Sequence, residues 1–373
     1  MVPQTEAFSL GVEEELQIIN PLTRELESRA ELILAELTPT LGDEVRSELH
    51  LSMIETVTPI CRSLAEVRAE ITRLRREVMG AAARNGCRIA SAGTHPFSCW
   101  RNQEITPKPR YQEIAWKYQQ LANESVIFGC HVHVGINDRD MAVQVLNRAR
   151  IWLAPLLALT ANSPFWQGLD TGYASHRYEM WLNWPTAGPP NLFQSRADFD
   201  AMVRAMVATG GILDASNLYW DLRLPARFPT IEFRIMDACM TVDEVVMVAG
   251  LARALILTCY EQALREVPFP AARTELLRAA HWRASRYGLS EDLVDVGTER
   301  AIPAVELIEH MLNFARPALE AFGDWSEVAT IVRETLRRGN GAERQRAVFR
   351  EAGCLLPVVD LIVQETARGV GPI

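Results

Sequence analysis

A chain of 373 residues, 48% apolar and 23% charged, can build a full hydrophobic core, which excludes disorder and collagen-like repeats. Its formal net charge of −9 argues against nucleic acid as a partner, because a phosphate backbone is met by a basic face. Lys108 and Lys117 are the only lysines, so any nucleotide must be held by arginine, backbone N–H groups or metal ions rather than by a lysine cradle.

Phe8 to Ile19 is expected to be a strand and Ser28 to Leu41 a helix, and Arg46 to Thr58 reads extended up to Pro59. Ser63 opens a strong helix. Glu66 completes a capping box, Leu64, Val67, Ile71, Leu74 and Val78 form an apolar stripe, and Asn85-Gly86 ends it. Cys87 to Ala92 is a short strand entering a Gly93-Thr94-His95-Pro96 loop, and a helix covers Tyr111 to Ala122. A strand over Val126 to Ile136 leads into one long helix from Asp138 to about Thr160. Ser163 to Pro190 has no period, and a loop so long and so rich in aromatics is expected to be ordered and functional. Ser195 and Asp198 cap a helix to about Thr209. Leu218 to Leu224 and Thr230 to Met236 make a hairpin across Pro225 to Pro229. Thr241 and Glu244 cap a long helix to about Arg265, and everything beyond reads as helical.

These strands carry one apolar and one polar face, whereas parallel strands covered on both faces run apolar throughout. The expected class is α+β, with a mainly antiparallel sheet whose polar face opens on a site and with helices packed outside. No linker interrupts the chain. Residues 1–373 are expected to form a single catalytic domain, with 266–373 as its helical C-terminal part. Seven cysteines, an odd number without Cys-x-x-Cys spacing, suggest reduced thiols in a cytoplasmic protein. Met1 to Gly11 lacks the basic-then-apolar order of a leader. The apolar stretch Val245 to Tyr260 is interrupted by Gly250 and Arg253, which suits a buried helix and no membrane.

Four strand segments carry chemistry. In Gly11-Val12-Glu13-Glu14-Glu15-Leu16, alternation puts Glu13 and Glu15 on one face and Val12, Leu16 and Ile18 on the other. Two carboxylates that close repel unless a cation lies between them; the competing reading is a solvated strand. Glu14 falls on the apolar side with no evident partner. Glu48 and Glu55 lie in an otherwise apolar stretch with opposite parity, so both reach one site only across a bulge or with one placed before the strand. A surface edge strand is the alternative there. His131 and His133 share a face with Gly129 and Gly135, leaving room for a ligand beside a pair suited to metal binding or acid–base work. Glu232 and Arg234 share the face opposite Ile231, Phe233 and Ile235, either as an internal salt bridge or as part of a network with Asp221 and Arg223. A sheet that lines these faces together makes a carboxylate-rich basin suited to Mg²⁺ or Mn²⁺, with arginines for phosphate or carboxylate.

Six segments in order carry a resemblance. They are Gly11 to Leu16, Ser47 to Glu55, Ala92 to Phe97, Gly129 to Gly135, Ser175 to Glu179 and Ile231 to Arg234. With them the chain resembles the carboxylate–amine ligases of the type-2 glutamate–cysteine ligase family, within the glutamine synthetase-like superfamily. The resemblance implies a sheet lining a funnel with Mg²⁺ at its neck. It implies Glu13, Glu15, Glu48, Glu55, His131 and Glu232 as metal ligands, with Glu55 and Arg234 in catalysis and Arg234 at the transferring phosphoryl group. Arg177 and Ser175 fall where substrate contacts are expected, and Arg223 and His133 are further candidates for holding ATP. His95 fits the family's Gly-Thr-His-Pro loop. The implied reaction uses ATP to turn a carboxylate into an acyl phosphate, which an amine converts to an amide; glutamate with cysteine is the family's reference pair. A homodimer is the family expectation. The alternatives are another metal-dependent enzyme on the same basin, an amide hydrolase or phosphotransferase, or a non-catalytic ligand-binding protein.

Overall fold

The structure, a computed structural model, describes residues 8–371. The leader reading of Met1 to Gly11 therefore falls mostly outside the described residues. Strands are β1 (Leu10–Ile19), β2 (Val45–Ser47), β3 (Met53–Val57), β4 (Arg88–Ala90), β5 (Cys130–Gly135), β6 (Phe165–Trp166), β7 (Leu169–Asp170), β8 (Leu222–Arg223), β9 (Thr230–Phe233), β10 (Asp292–Asp295) and β11 (Arg300–Pro303). The main sheet runs β2-β3-β1-β5-β9-β8, with β4 also paired to β1, and every pairing is antiparallel.

Around it lie α1 (Ala30–Leu41), α2 (Leu64–Arg84), α3 (Pro109–Tyr118), α4 (Gln120–Glu124), α5 (Arg139–Ala149), α6 (Leu153–Thr160), α7 (His176–Trp181), α8 (Arg196–Ala208), α9 (Val242–Leu264), α10 (Thr274–Tyr287), α11 (Ala304–Phe322), α12 (Trp325–Arg338), α13 (Gly341–Ala352) and α14 (Leu356–Ala367). Ser63 accepts the Glu66 N–H at the head of α2, and Thr241 and Glu244 form a reciprocal capping box on α9. Val12, Leu16, Ile18, Val132, Val134, Ile231 and Phe233 face the helices and join one large core with α2, α5 and α9. The α+β antiparallel architecture is the one the strand patterning implies.

Five readings need correction, the first being the single helix over Tyr111 to Ala122, which breaks between α3 and α4 at Gln119, whose φ of 50° lies outside the right-handed helical region. Arg46 to Thr58 is two strands: Glu48–Ser52 turns away, and Leu51 N–H donates to Glu104 O while His50 bridges Ile105. The helix expected over Asp138 to Thr160 breaks into α5, a 3-10 turn over Arg150–Trp152 and α6, because Pro155 in the first turn of α6 has no N–H for the preceding helix. Ser163 to Pro190 holds the β6–β7 hairpin, turned on Gln167 (φ 48°) and Gly168 (φ 86°), followed by α7. The C-terminal part is not wholly helical, since β10 and β11 pair there.

The C-terminal part is tied to the sheet by a buried arginine. Arg75 of α2 donates to both carboxylate oxygens of Glu14 on β1, at 3.2 and 2.6 Å, and to the carbonyls of Cys239, Met240 and Thr366. This supplies the partner that Glu14 lacked in the sequence. Among the described residues, no helix is long and apolar enough to cross a membrane.

Candidate active site

Register brings the chemistry to one face. Directly opposed residues in an antiparallel sheet share a face. Glu15 lies opposite Glu55, and Glu55 opposite Arg46. Glu13 lies opposite His131, His133 opposite Glu232, and Glu232 opposite Arg223. Six strands thus present one polar surface. The turn at Glu48–Ser52 resolves the parity conflict, since Glu48 precedes β3 and still reaches the cavity that Glu55 lines. Thr106 Oγ1 donates to Glu48 O at 2.5 Å, Tyr111 Oη to Ser47 O at 2.5 Å and Lys108 Nζ to Ser47 Oγ at 2.6 Å, which holds that turn in place.

Two chambers meet at Glu13. The larger, about 680 Å³, is mostly apolar, with Phe8, Val12, Ile60, Ile136, Phe228, Pro229 and Tyr260 in its wall and His133 at its inner end. Arg46 is the one arginine that lines it among the described residues. The smaller, about 220 Å³, is lined by Glu13, Glu15, Glu48, Glu55 and His131 on one side and Arg110, Arg177, Arg223 and Arg234 on the other, with Tyr111, Trp181, Trp184 and Tyr219 as aromatic wall.

At the junction, ligand atoms of Glu13, His133 and Glu232 all lie within 4.8 Å of one another. His133 Nε2 is 3.4 Å from Glu13 Oε1 and 3.9 Å from Glu232 Oε2, and Nδ1 is 3.0 Å from Thr230 Oγ1. With Nδ1 held at Thr230 Oγ1, Nε2 faces the two carboxylates, the usual way a neighbouring group orients a metal-binding imidazole. His131 Nδ1 lies 3.2 Å from Glu13 Oε2. The converging histidine is therefore His133 rather than His131. Neither Nε2 has a hydrogen-bond partner.

The electrostatics divide along the same line. Burial would raise Glu13, but the His131 hydrogen bond and the nearby His133 imidazole outweigh it and hold the carboxyl well below its usual range. Burial likewise opposes ionisation of Glu232, yet Arg234 and Arg223 keep it charged. Arg223 Nε donates to Glu232 Oε2 at 2.7 Å, and Arg234 Nη1 donates to Oε1. Burial pushes Glu48 up to about 7, with the charge of Glu15 adding to it. Glu55 is raised well above its usual value by burial and then by Glu13, Glu48 and Glu15. Buried carboxylates that raise one another are a seat for a cation, and carboxylate oxygens with one imidazole suit Mg²⁺ or Mn²⁺.

The expected substrate contacts separate. Arg177 lines the smaller chamber, its guanidinium resting on Ile235 O and Arg234 O. Ser175 caps α7 behind it, fully buried, and donates to Asp237 at 2.7 Å. Asp221 does not join the Arg223–Glu232 network: it accepts from Tyr178 Oη at 2.7 Å and lies 3.2 Å from His281 Nδ1. His95 holds its loop, with Nδ1 accepting the Ser98 N–H at 2.9 Å and Nε2 2.8 Å from Arg24 O. Sequence reasoning missed Trp181, whose ring lies under two guanidinium groups, Arg177 Cζ at 5.8 Å and Arg234 Cζ at 5.4 Å. The density of aromatics in Ser163 to Pro190 was its only signal.

Comparison with known proteins agrees with this architecture. A family model described as glutamate–cysteine ligase family 2 matches residues 9–361. A protein of Rhodopirellula baltica provisionally named glutamate–cysteine ligase 2 is 42% identical over 363 residues, 96% of each chain. One of the same provisional name from Solibacter usitatus is 39% identical, covering 98% of this chain and 94% of its own. Among solved structures, a glutamate–cysteine ligase of Francisella tularensis in complex with AMP aligns over 98% of this chain and 90% of its own, with a TM-score of 0.71 at 11% identity. A bifunctional glutathione synthetase of Pasteurella multocida aligns over 97% of this chain and 52% of its own, with a TM-score of 0.69 at 16% identity. At those identities the two structures speak for the fold alone.

Proposed function

The chain belongs to glutamate–cysteine ligase family 2, and on that footing we propose that it is an ATP-dependent carboxylate–amine ligase that joins glutamate to cysteine through a γ-glutamyl phosphate. The observation that carries the reading is the convergence of Glu13, His133 and Glu232 where an apolar chamber meets an arginine-lined one. A purine base suits the apolar chamber, with Arg46 beside its phosphates. A dicarboxylic acid suits the smaller chamber, where Arg177 takes the carboxylate that does not react. The γ-phosphate then lies at the junction, within reach of Arg234, which contacts the phosphoryl group as it transfers.

In the first step the side-chain carboxylate of glutamate attacks the γ-phosphorus, a P–O bond forms, and ADP leaves. In the second, the amine of cysteine attacks the acyl carbon, phosphate leaves with the C–O bond electrons, and the ammonium loses its proton. Glu13, His133 and Glu232, with Glu15, Glu48 and Glu55 on the neighbouring strands, would hold Mg²⁺; bound there, the ion neutralises phosphate oxygens. The unpartnered Nε2 atoms of His131 and His133 and the mutually raised Glu48 and Glu55 fit such an ion. Arg223 and Arg234 keep Glu232 ionised for it. The chain works as one catalytic unit, since Arg75 joins the metal-bearing strand to α14.

Phosphate release that requires ATP, Mg²⁺, glutamate and cysteine together, with γ-glutamylcysteine as product, is the expected result. Turnover of an amide without ATP would support the hydrolase alternative. Nucleotide binding without turnover on a panel of acids and amines would support a binding protein.

A further inference from the structure

Asp237 stands behind the arginine chamber, outside the chemistry described above. It is fully buried, and its carboxylate collects donors from two distant segments. Oδ2 accepts from the Asn162 backbone N–H and the Ser163 hydroxyl, both at 2.7 Å, and Oδ1 accepts from the Ser175 hydroxyl at 2.7 Å. The same two hydroxyls hold the first turn of α7. Ser163 Oγ accepts the Arg177 N–H at 3.1 Å and Ser175 Oγ accepts the Tyr178 N–H at 3.3 Å. The carboxylate therefore fixes, through two hydroxyls, the turn from which Arg177 projects.

The guanidinium itself is kept off the carboxylate. Arg177 Nη1 lies 4.0 Å from Asp237 Oδ1, while its nitrogens rest on Ile235 O and Arg234 O at 3.4 Å and Nε has no partner. A direct bidentate pair would consume donors that an incoming carboxylate needs; at this spacing the charge is balanced, and Nε and the N–H groups not held by Ile235 O and Arg234 O stay open. The surrounding backbone is cut to the same fit. A Cβ on Gly93 would sit 2.7 Å from Asp237 Cγ, and one on Gly129 would collide with Arg177 Nη2. These two close approaches explain the glycines that open the Gly-Thr-His-Pro and Gly-Cys-His-Val-His segments.

We propose that Asp237 is a positioning residue: by gripping Ser163 and Ser175 it aims Arg177 into the smaller chamber and sets the affinity for the acid substrate. The inference rests on the reading of Arg177 as the carboxylate anchor. Asp237→Asn keeps the volume but turns one acceptor into a donor facing hydroxyls or an N–H. The Michaelis constant for glutamate is expected to rise about tenfold or more, with kcat and the Michaelis constant for ATP little changed, because a misaimed charge weakens one contact and leaves the phosphoryl site intact. Gly93→Ala, which crowds the carboxylate without altering it, is expected to show the same signature at smaller size. Ser175→Ala carries the test if the Asp237→Asn variant does not accumulate folded, again with a rise confined to glutamate. An unchanged constant for glutamate, or a parallel fall in every parameter, in the folded variants overturns the proposal. Arg177→Met separates the two readings. If it raises the constant for glutamate while the Asp237, Gly93 and Ser175 variants do not, the positioning role alone fails; if it changes nothing, the anchor reading fails with it.

Discussion

Glu13 and Glu14 are neighbours on one strand and live in opposite electrostatic worlds. On the helix-packed face, Glu14 meets Arg75, all of whose N–H donors are used: Nε and one of Nη2 on Glu14, the other of Nη2 on Cys239 O, and both of Nη1 on Met240 O and Thr366 O. On the open face, Glu13 sits among carboxylates that raise one another, and the Nε2 atoms of His131 and His133 and the Nε atoms of Arg177 and Arg234 have no partner. Both faces bury charge. A buried charge with every bond made within the protein is scaffold; a crowd of buried charges whose donors and acceptors the protein does not all use is suited to ions and substrates.

Four perturbations can break or sharpen that contrast. The largest effect on stability is expected on the satisfied face. Arg75→Met strands Glu14 in the core and should cost about 4 kcal/mol in chemical denaturation, as removal of one partner of a buried pair does. A loss under about 1 kcal/mol would remove the pair from the scaffold. On the open face the effect should fall on turnover instead. Glu13→Gln is expected to lower kcat at least about a hundredfold while changing stability by less than about 1 kcal/mol, read by phosphate release and by denaturation of the same preparation.

A pH series in EDTA tests the crowding itself. The folded protein holds the Glu48 proton up to about 7, whereas the unfolded chain releases it near the ordinary carboxyl value. Between those pH values the folded state binds more protons, so rising pH destabilises it. Glu48→Gln removes that penalty. It should gain about 2 kcal/mol over the parent at pH 8 and nothing below about pH 4.5, after allowance for solvent screening at a half-buried group. A gain independent of pH would contradict the crowding. The smallest effect is that of the ion: Mg²⁺ at about ten times its dissociation constant should stabilise the parent by about 1.4 kcal/mol, a rise of a few degrees in Tm. The same addition should do little for Glu13→Gln.

The open face was legible in the sequence because alternation along a strand is a local property. Glu13 with Glu15, and His131 with His133, follow from parity alone, and antiparallel register aligns them. Non-local pairings were not legible. Arg75 lies 61 residues from Glu14, and the turn that carries Glu48 is held by Glu104 and Thr106 rather than by a glycine or proline of its own. Which histidine converges with Glu232 depends on the β5–β9 register, which parity cannot supply for two residues on one face. The β10–β11 hairpin did leave a trace, since Asp295 accepts the Gly297 N–H in its turn, a residue pattern typical of turns that the surrounding helical periodicity obscured. Ser175 was singled out beside Arg177 by motif, and its place against Asp237 depends on the segment that follows β9, 62 residues away, with Oγ 2.7 Å from that carboxylate.

The contrast between the two faces comes down to whether the open one seats a divalent cation. Titration of the purified protein with Mn²⁺, followed by the loss of the free-ion electron paramagnetic resonance signal, reads this without turnover. Saturable binding that Mg²⁺ competes away and Glu13→Gln weakens at least about tenfold is the expected result. Absence of saturable binding in the parent protein, or binding that Glu13→Gln leaves unchanged, would contradict the account.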